Sequence, residues 1–289
     1  MVQAVVRWGV YLLAALVLGP VAGRLTGGLR AMDGGEQLTL LLSERPASGL
    51  LAGVGAVGVA LVAGVLGSWA VGRRSGLFCA GLVLAWAAWG TGRMDRVISL
   101  SGSGGRPLMT VALEGAVIGV LGVLAAGVIL RTPTREAAKA AARDPEHEHH
   151  HLPEEPTALW DSTAPAALLA AAVMAGVAVW VFAADTLKGQ TVAAAVIAGV
   201  FAASAGRVVS QRVSGAVFVA GVALLAAASP AAASVVHGQG LLRDALAGNL
   251  MALARPMPLD WLAGAFLGVP LGLTWTASAI ERHAPGEKR

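Results

Sequence analysis

Residues 106–130 read RPLMTVALEGAVIGVLGVLAAGVIL: an arginine and a proline, then an apolar run interrupted by one acid, Glu114. A bilayer core asks for about 20 such residues in a helix, and this stretch supplies them. Similar runs recur outward in both directions, at roughly 8–23, 50–71, 76–92, 108–130, 165–184, 191–206, 213–231 and 259–279. The whole 289-residue chain is 56% apolar and 13% charged, with a mean hydropathy of +0.70. Soluble domains are about a quarter charged, so a water-exposed globular surface is excluded. The sequence specifies an integral membrane protein with about eight transmembrane helices. The shorter runs require tilt, local thinning or snorkelling ends.

The same stretch has a second copy. From Arg106-Pro107 to Val120 the pattern is R-P-x5-L-x-G-A-x-x-G-V, and it returns from Arg255-Pro256 to Val269, 149 residues later. Weaker matches precede it in the same order. Gly90-Thr91-Gly92 parallels Gly238-Gln239-Gly240, the Phe78 to Leu84 stretch parallels Phe218 to Leu224, and Leu12 to Ala15 parallels Leu168 to Ala171. The expectation is an all-α membrane protein arranged as two tandem four-helix repeats. Four spans return the chain to its starting side, so the halves share one topology about a parallel pseudo-two-fold axis. Residues 1–130 form the first repeat and 164–289 the second, ending in a short polar tail. Residues 131–163 form a polar linker rich in histidine and glutamate.

Charge sets the orientation. The termini and even loops carry 12 Lys and Arg residues, the odd loops 9, which favours cytoplasmic termini by the positive-inside rule. The first run resembles a signal peptide but ends in Gly19-Pro20-Val21-Ala22-Gly23 without an A-x-A site, so it reads as a retained span. Arginine outnumbers lysine 18 to 3 amid abundant alanine, glycine and valine, a bias of GC-rich bacterial genomes that points to a bacterial cytoplasmic membrane. The lone cysteine, Cys79, rules out an intramolecular disulfide. Trp8, Trp69, Trp89, Trp160, Trp180 and Trp261 fall near span ends and read as interfacial anchors in contact with the lipid bilayer.

Four features carry candidate chemistry. Glu114 lies well inside a span, where a carboxylate must face protein, water or a cation, or hold a proton; it is either a proton- or cation-handling site or a side chain snorkelling to Arg93, Arg96 or Arg106. Arg106 and Arg255 begin the two copies of the repeat and are candidate contacts for an anion or lipid head group, against an ordinary role beside a helix-starting proline. His147, His149, His150 and His151 alternate with glutamates in the linker. Such a tract can hold a divalent metal adventitiously, but no span has the paired ligands of a metal permease, and no resident cofactor is expected. Lastly, Gly115 and Gly119, matched by Gly264 and Gly268, open grooves for close helix approach. They pack neighbouring spans or receive partner proteins.

Loops 93–106 and 233–258 read as interfacial or re-entrant. In the second, Leu242, Leu246, Leu250 and Leu253 recur at helical spacing, as in an amphipathic interfacial helix. No G-x-S-x-G, no H-E-x-x-H and no phosphate-binding loop is present, so no enzyme is expected. No basic tract with interleaved aromatics points to nucleic acid. The expected function is that of a non-catalytic membrane component or scaffold. The alternative is a small-solute or ion channel or transporter with a path between the repeats, but few intramembrane polar residues are available to line one.

Overall fold

The computed structural model describes residues 2–31, 38–100, 105–135, 156, 158–159 and 161–283. The linker histidines 147–151 and Trp160 lie outside them. Among the described residues every regular element is helical. α1 (Val2–Leu13) continues through a π-helical turn (Ala14–Leu18) into α2 (Gly19–Gly27). Then follow α3 (Pro46–Ala70), α4 (Arg73–Trp89), α5 (Met94–Leu100) and α6 (Arg106–Arg131). Beyond the linker come α7 (Ala164–Phe182), α8 (Lys188–Val209), α9 (Gly215–His237), α10 (Leu241–Leu246) and α11 (Pro258–His283). Seven helical segments are long and apolar enough to cross a membrane, and α11, 26 residues long, occupies the position of the eighth expected span. This is a multi-pass membrane protein.

Several helices outrun the apolar stretches that announced them, because charged residues at their ends are helical too. Arg73, Arg74 and Arg207 all lie inside helices, as expected of side chains whose aliphatic stems stay in apolar surroundings while the charge reaches outward; Lys188, the first residue of its helix, turns its charge inward instead.

Starts are set by local chemistry. Proline occupies the first turn of α3, α6 and α7, where its missing N–H costs nothing. Asp161 precedes α7 and takes the Ser162 N–H (2.7 Å) and the Thr163 hydroxyl (3.2 Å). These bonds, the Ser162 N–H foremost, hold its carboxyl below the usual Asp range. A lowered pKa means a contribution present above the normal carboxylate pKa of about 4 and lost as pH falls through the lower folded value. Acidification is therefore expected to lower the protection of the Ser162 amide relative to its intrinsic exchange rate and fray this turn, while Asp161→Asn, with no carboxylate to titrate, removes that pH dependence of protection. Hydrogen exchange followed against pH checks it.

α11 is the central helix. From Pro256 to Phe266 every residue is buried, and the helix packs on α8, α4, α9 and α6. A helix apolar all round belongs in a core. Trp261 is consequently fully buried rather than an interfacial anchor, a correction to the expectation from its place at a span end. Trp8, Trp69, Trp89 and Trp180 are exposed. Two long pairings join the chain before the linker to the chain after it: α6 runs along α9, and α4 along α11.

The paired glycines serve these contacts. A Cβ on Gly115 would strike the Ala226 carbonyl of α9, and one on Gly119 would stand 3.2 Å from the Ala223 carbonyl. Ala226 has lost its helical donor because Pro230, four residues on, has no N–H, and the free carbonyl comes up against Gly115. Gly264 and Gly268 meet Ala195, Val196 and Gly199 of α8 instead. All four glycine faces are thus filled from within the chain, by α9 and α8.

A second, smaller apolar core caps one end of the bundle. Met94, Val97 and Ile98 of α5, Leu108 and Val111 of α6, and Leu241, Leu250 and Met257 form it. The expected amphipathic helix through Leu242, Leu246, Leu250 and Leu253 is not continuous. α10 stops at Leu246, which is 78% exposed, because Gly248 takes a left-handed φ of 76° and Asn249 N–H closes back on the Asp244 carbonyl (2.8 Å). This glycine-closed end is a helix stop.

Candidate functional site

Beneath this cap lies a cluster of buried charges. Pro258 starts α11, and Asp260, two residues on, reaches back to accept the Met257 N–H at 3.0 Å, the reciprocal bond of a capping box. The same oxygen accepts the Thr191 hydroxyl from α8 (2.9 Å). The other oxygen takes the ammonium of Lys188, the first residue of α8, at 2.9 Å. Lys188 also donates to the Thr91 hydroxyl (3.1 Å) just past α4, and Thr91 in turn donates to the Ala88 carbonyl (2.7 Å). Asp260 is 1% exposed. One ion pair therefore ties the starts of α8 and α11 to the end of α4.

Glu114 belongs to the same region. It is buried, on α6. Its carboxylate accepts the Leu41 N–H at 3.0 Å, together with the Leu40 N–H and the Thr39 hydroxyl. These donors come from the loop between α2 and α3, which folds back into the bundle. Leu38, Thr39, Leu40 and Ser43 are buried, Gly92 N–H donates to the Leu38 carbonyl (3.0 Å), and Leu40 packs over Gly53 of α3 and against Ile118 of α6. A buried loop must find partners for its main chain, and Glu114 provides an acceptor. Of the arginines expected to meet Glu114, Arg93 pairs with Asp95 at 3.2 Å and Arg106 is exposed.

Chemically, the arrangement is a clamp. Asp260 takes three donors and Glu114 three, so neither carboxylate is left bare. Glu114→Ala removes the acceptor and strands main-chain N–H groups in a dry site. Each costs about 1–3 kcal/mol, so the loop is expected to open first, seen as faster exchange of the Leu40 and Leu41 amides and new proteolysis there. Glu114→Gln, which keeps a carbonyl acceptor, retains most of the protection.

Arg255 and Arg106 occupy different settings. The Arg255 guanidinium donates to the carbonyls of Ala183 (2.6 Å), Leu250 (3.0 Å) and Gly248 (3.4 Å), closing the turn beyond α10 against the end of α7. Behind that turn His237 faces Asp244 through Nδ1 (3.0 Å) and accepts the Met251 N–H through Nε2 (3.3 Å). Among the described residues no group of three or more His, Cys, Asp or Glu is placed to hold a metal.

Sequence reading singled out Glu114 and Arg255 but passed over Lys188, Asp260, Thr91 and Thr191. One signal for Asp260 was present: in Met257-Pro258-Leu259-Asp260 an acid follows a helix-starting proline at the position that caps the first turn. Nothing local announces Lys188 as its partner, 72 residues away.

In comparisons with protein-family models, curated proteins and solved structures, nothing matches this chain. What is defined is a class: an all-helical, multi-pass membrane protein.

Proposed function

We propose that the protein is a non-catalytic component or scaffold of the bacterial cytoplasmic membrane, with cytoplasmic termini, built as two tandem four-span repeats. The observation that carries this reading is the closeness of the seam between the halves. Gly115 and Gly119 bring α6 onto the main chain of α9, Gly122 faces Leu262 of α11, and Gly81 of α4 faces Leu267 of α11. Backbones this close gain dispersion contacts and displace lipid, and they leave little room for a permanent path. The duplication finds support in the same pairings, since the third span of each half lies on the fourth of the other, as a two-fold axis would impose. It is imperfect: the repeated glycine pair packs on α9 in one copy and on α8 in the other.

A solute or ion path between the halves is the second reading, favoured by the buried carboxylates of Glu114 and Asp260, the latter paired with the partly buried Lys188. Intramembrane charges of this kind mark pathways in many transporters. Labelling with a membrane-impermeant thiol reagent separates the two. In a Cys79→Ser background, Ile118→Cys, one turn beyond Glu114 and fully buried, and Leu262→Cys are each exposed to reagent from both sides of sealed vesicles, with Gln211→Cys as the exposed control. Protection at both positions is expected. Reaction at either, with the chain still eluting as a monodisperse species, gives the path reading preference.

A further inference from the structure

A pair of adjoining hollows on the outer side of α7 is unused by the seam or the clamp. The first, about 470 Å³, is apolar, lined by Ala172, Val173, Gly176 and Val177 of α7 with Leu225 and Leu253 opposite. Val173 and Val177 are half exposed, so this furrow opens towards the acyl chains. The second, about 460 Å³, continues from it past Trp180, which lines both, and ends at the turn 248–252 and Arg255. Its wall is about half polar where the first is apolar, with Asn249 and Arg255 among its lining residues. An exposed tryptophan at such a junction is the usual mark of the membrane–water boundary.

Charge identifies the occupant. Every described partner of Arg255 is a carbonyl, and no carboxylate neutralises it among the described residues. Three carbonyls use three of its five N–H donors, fixing the guanidinium plane and leaving Nε and one terminal N–H for an outside acceptor. A fixed, uncompensated guanidinium suits a phosphate oxygen. We infer that the two hollows form a binding site for one anionic phospholipid, with an acyl chain along Gly176 and its phosphate at Arg255.

Small residues make the furrow, and a Cβ on Gly176 would meet Leu253 at 3.8 Å and Leu225 at 4.0 Å, both ordinary contacts with side-chain tips, so a larger side chain there fills the space without straining the fold. The test uses the purified full-length chain, stripped of lipid and given an equimolar mixture of dioleoyl phosphatidylglycerol and dioleoyl phosphatidylcholine, with retained lipid counted by native mass spectrometry. One phosphatidylglycerol per chain is expected, preferred over phosphatidylcholine by about tenfold. Arg255→Gln is expected to bring that preference close to one, and Gly176→Phe to lose both lipids while Arg255 stays in place. Arg255→Gln also loosens the turn, so Gly176→Phe is the decisive variant. Equal retention of the two lipids by the parent chain overturns the site, as does unchanged phosphatidylglycerol on Gly176→Phe. A dimer that Gly176→Phe dissociates assigns the furrow to a second copy and overturns it equally.

Discussion

Gly115→Leu is expected to leave little folded protein in the membrane, and Gly115→Ala to be visibly destabilised. The position faces the Ala226 carbonyl of α9 with no space for a Cβ, and the obstacle is main chain, which cannot change rotamer to make way. Overpacking a well-filled interior costs about 1–3 kcal/mol, and a clash with backbone on both sides should lie at or beyond the upper end for leucine. Gly127 supplies the control: it lies on the same helix and a Cβ there meets nothing within 4 Å, so Gly127→Ala is expected to be tolerated where Gly115→Ala is not. Thermal melting of detergent-solubilised protein, followed by size-exclusion fluorescence, reads both.

The second large effect falls on the ion pair. Asp260→Ala leaves the Lys188 ammonium, itself only 10% exposed, without its counter-charge, and strips the Thr191 hydroxyl and Met257 N–H of their acceptor. Breaking a buried pair from one side costs about 3–5 kcal/mol, whereas exchanging both partners for apolar residues of similar volume is often close to neutral. Lys188→Met combined with Asp260→Leu is therefore expected to recover much of what Asp260→Ala loses. The comparison separates a structural clamp from a charge site required for activity, because stability returns in the double variant only if the pair serves the fold.

Seven of the eight expected spans, and their order, were legible in the sequence because burial in lipid is written as unbroken apolar runs, and those runs need no knowledge of partners. Proline starts were legible for the same local reason. The clamp was not, since its members come from residues 39–41, 91, 114, 188, 191 and 260, and no periodicity links them. Trp261 shows the limit of reading by position: a tryptophan at a span end marks the membrane surface only when that span reaches the surface, and the start of α11 lies beneath a cap built by α5, α10 and the first turns of α6. Leu246 shows another limit. Its spacing fits an amphipathic helix, yet Gly248 ends that helix two residues later, and a single glycine in αL outweighs four leucines in register.

The packing of α6 on α9 is the contact on which the seam and the proposed duplication depend, and a cross-link reads it directly. A Cβ at Gly119 would stand 3.5 Å from that of Ala223, at the short end of the roughly 3.5–4.5 Å that a disulfide requires. The measurement uses Gly119→Cys with Ala223→Cys in the Cys79→Ser background, a protease site inserted in the 131–163 linker, mild oxidation in native membranes, and cleavage before denaturing electrophoresis. The predicted result is that the two halves run as one species until reductant is added. Halves that separate without reductant, in protein that oxidises normally at a control pair within one helix turn, would contradict it.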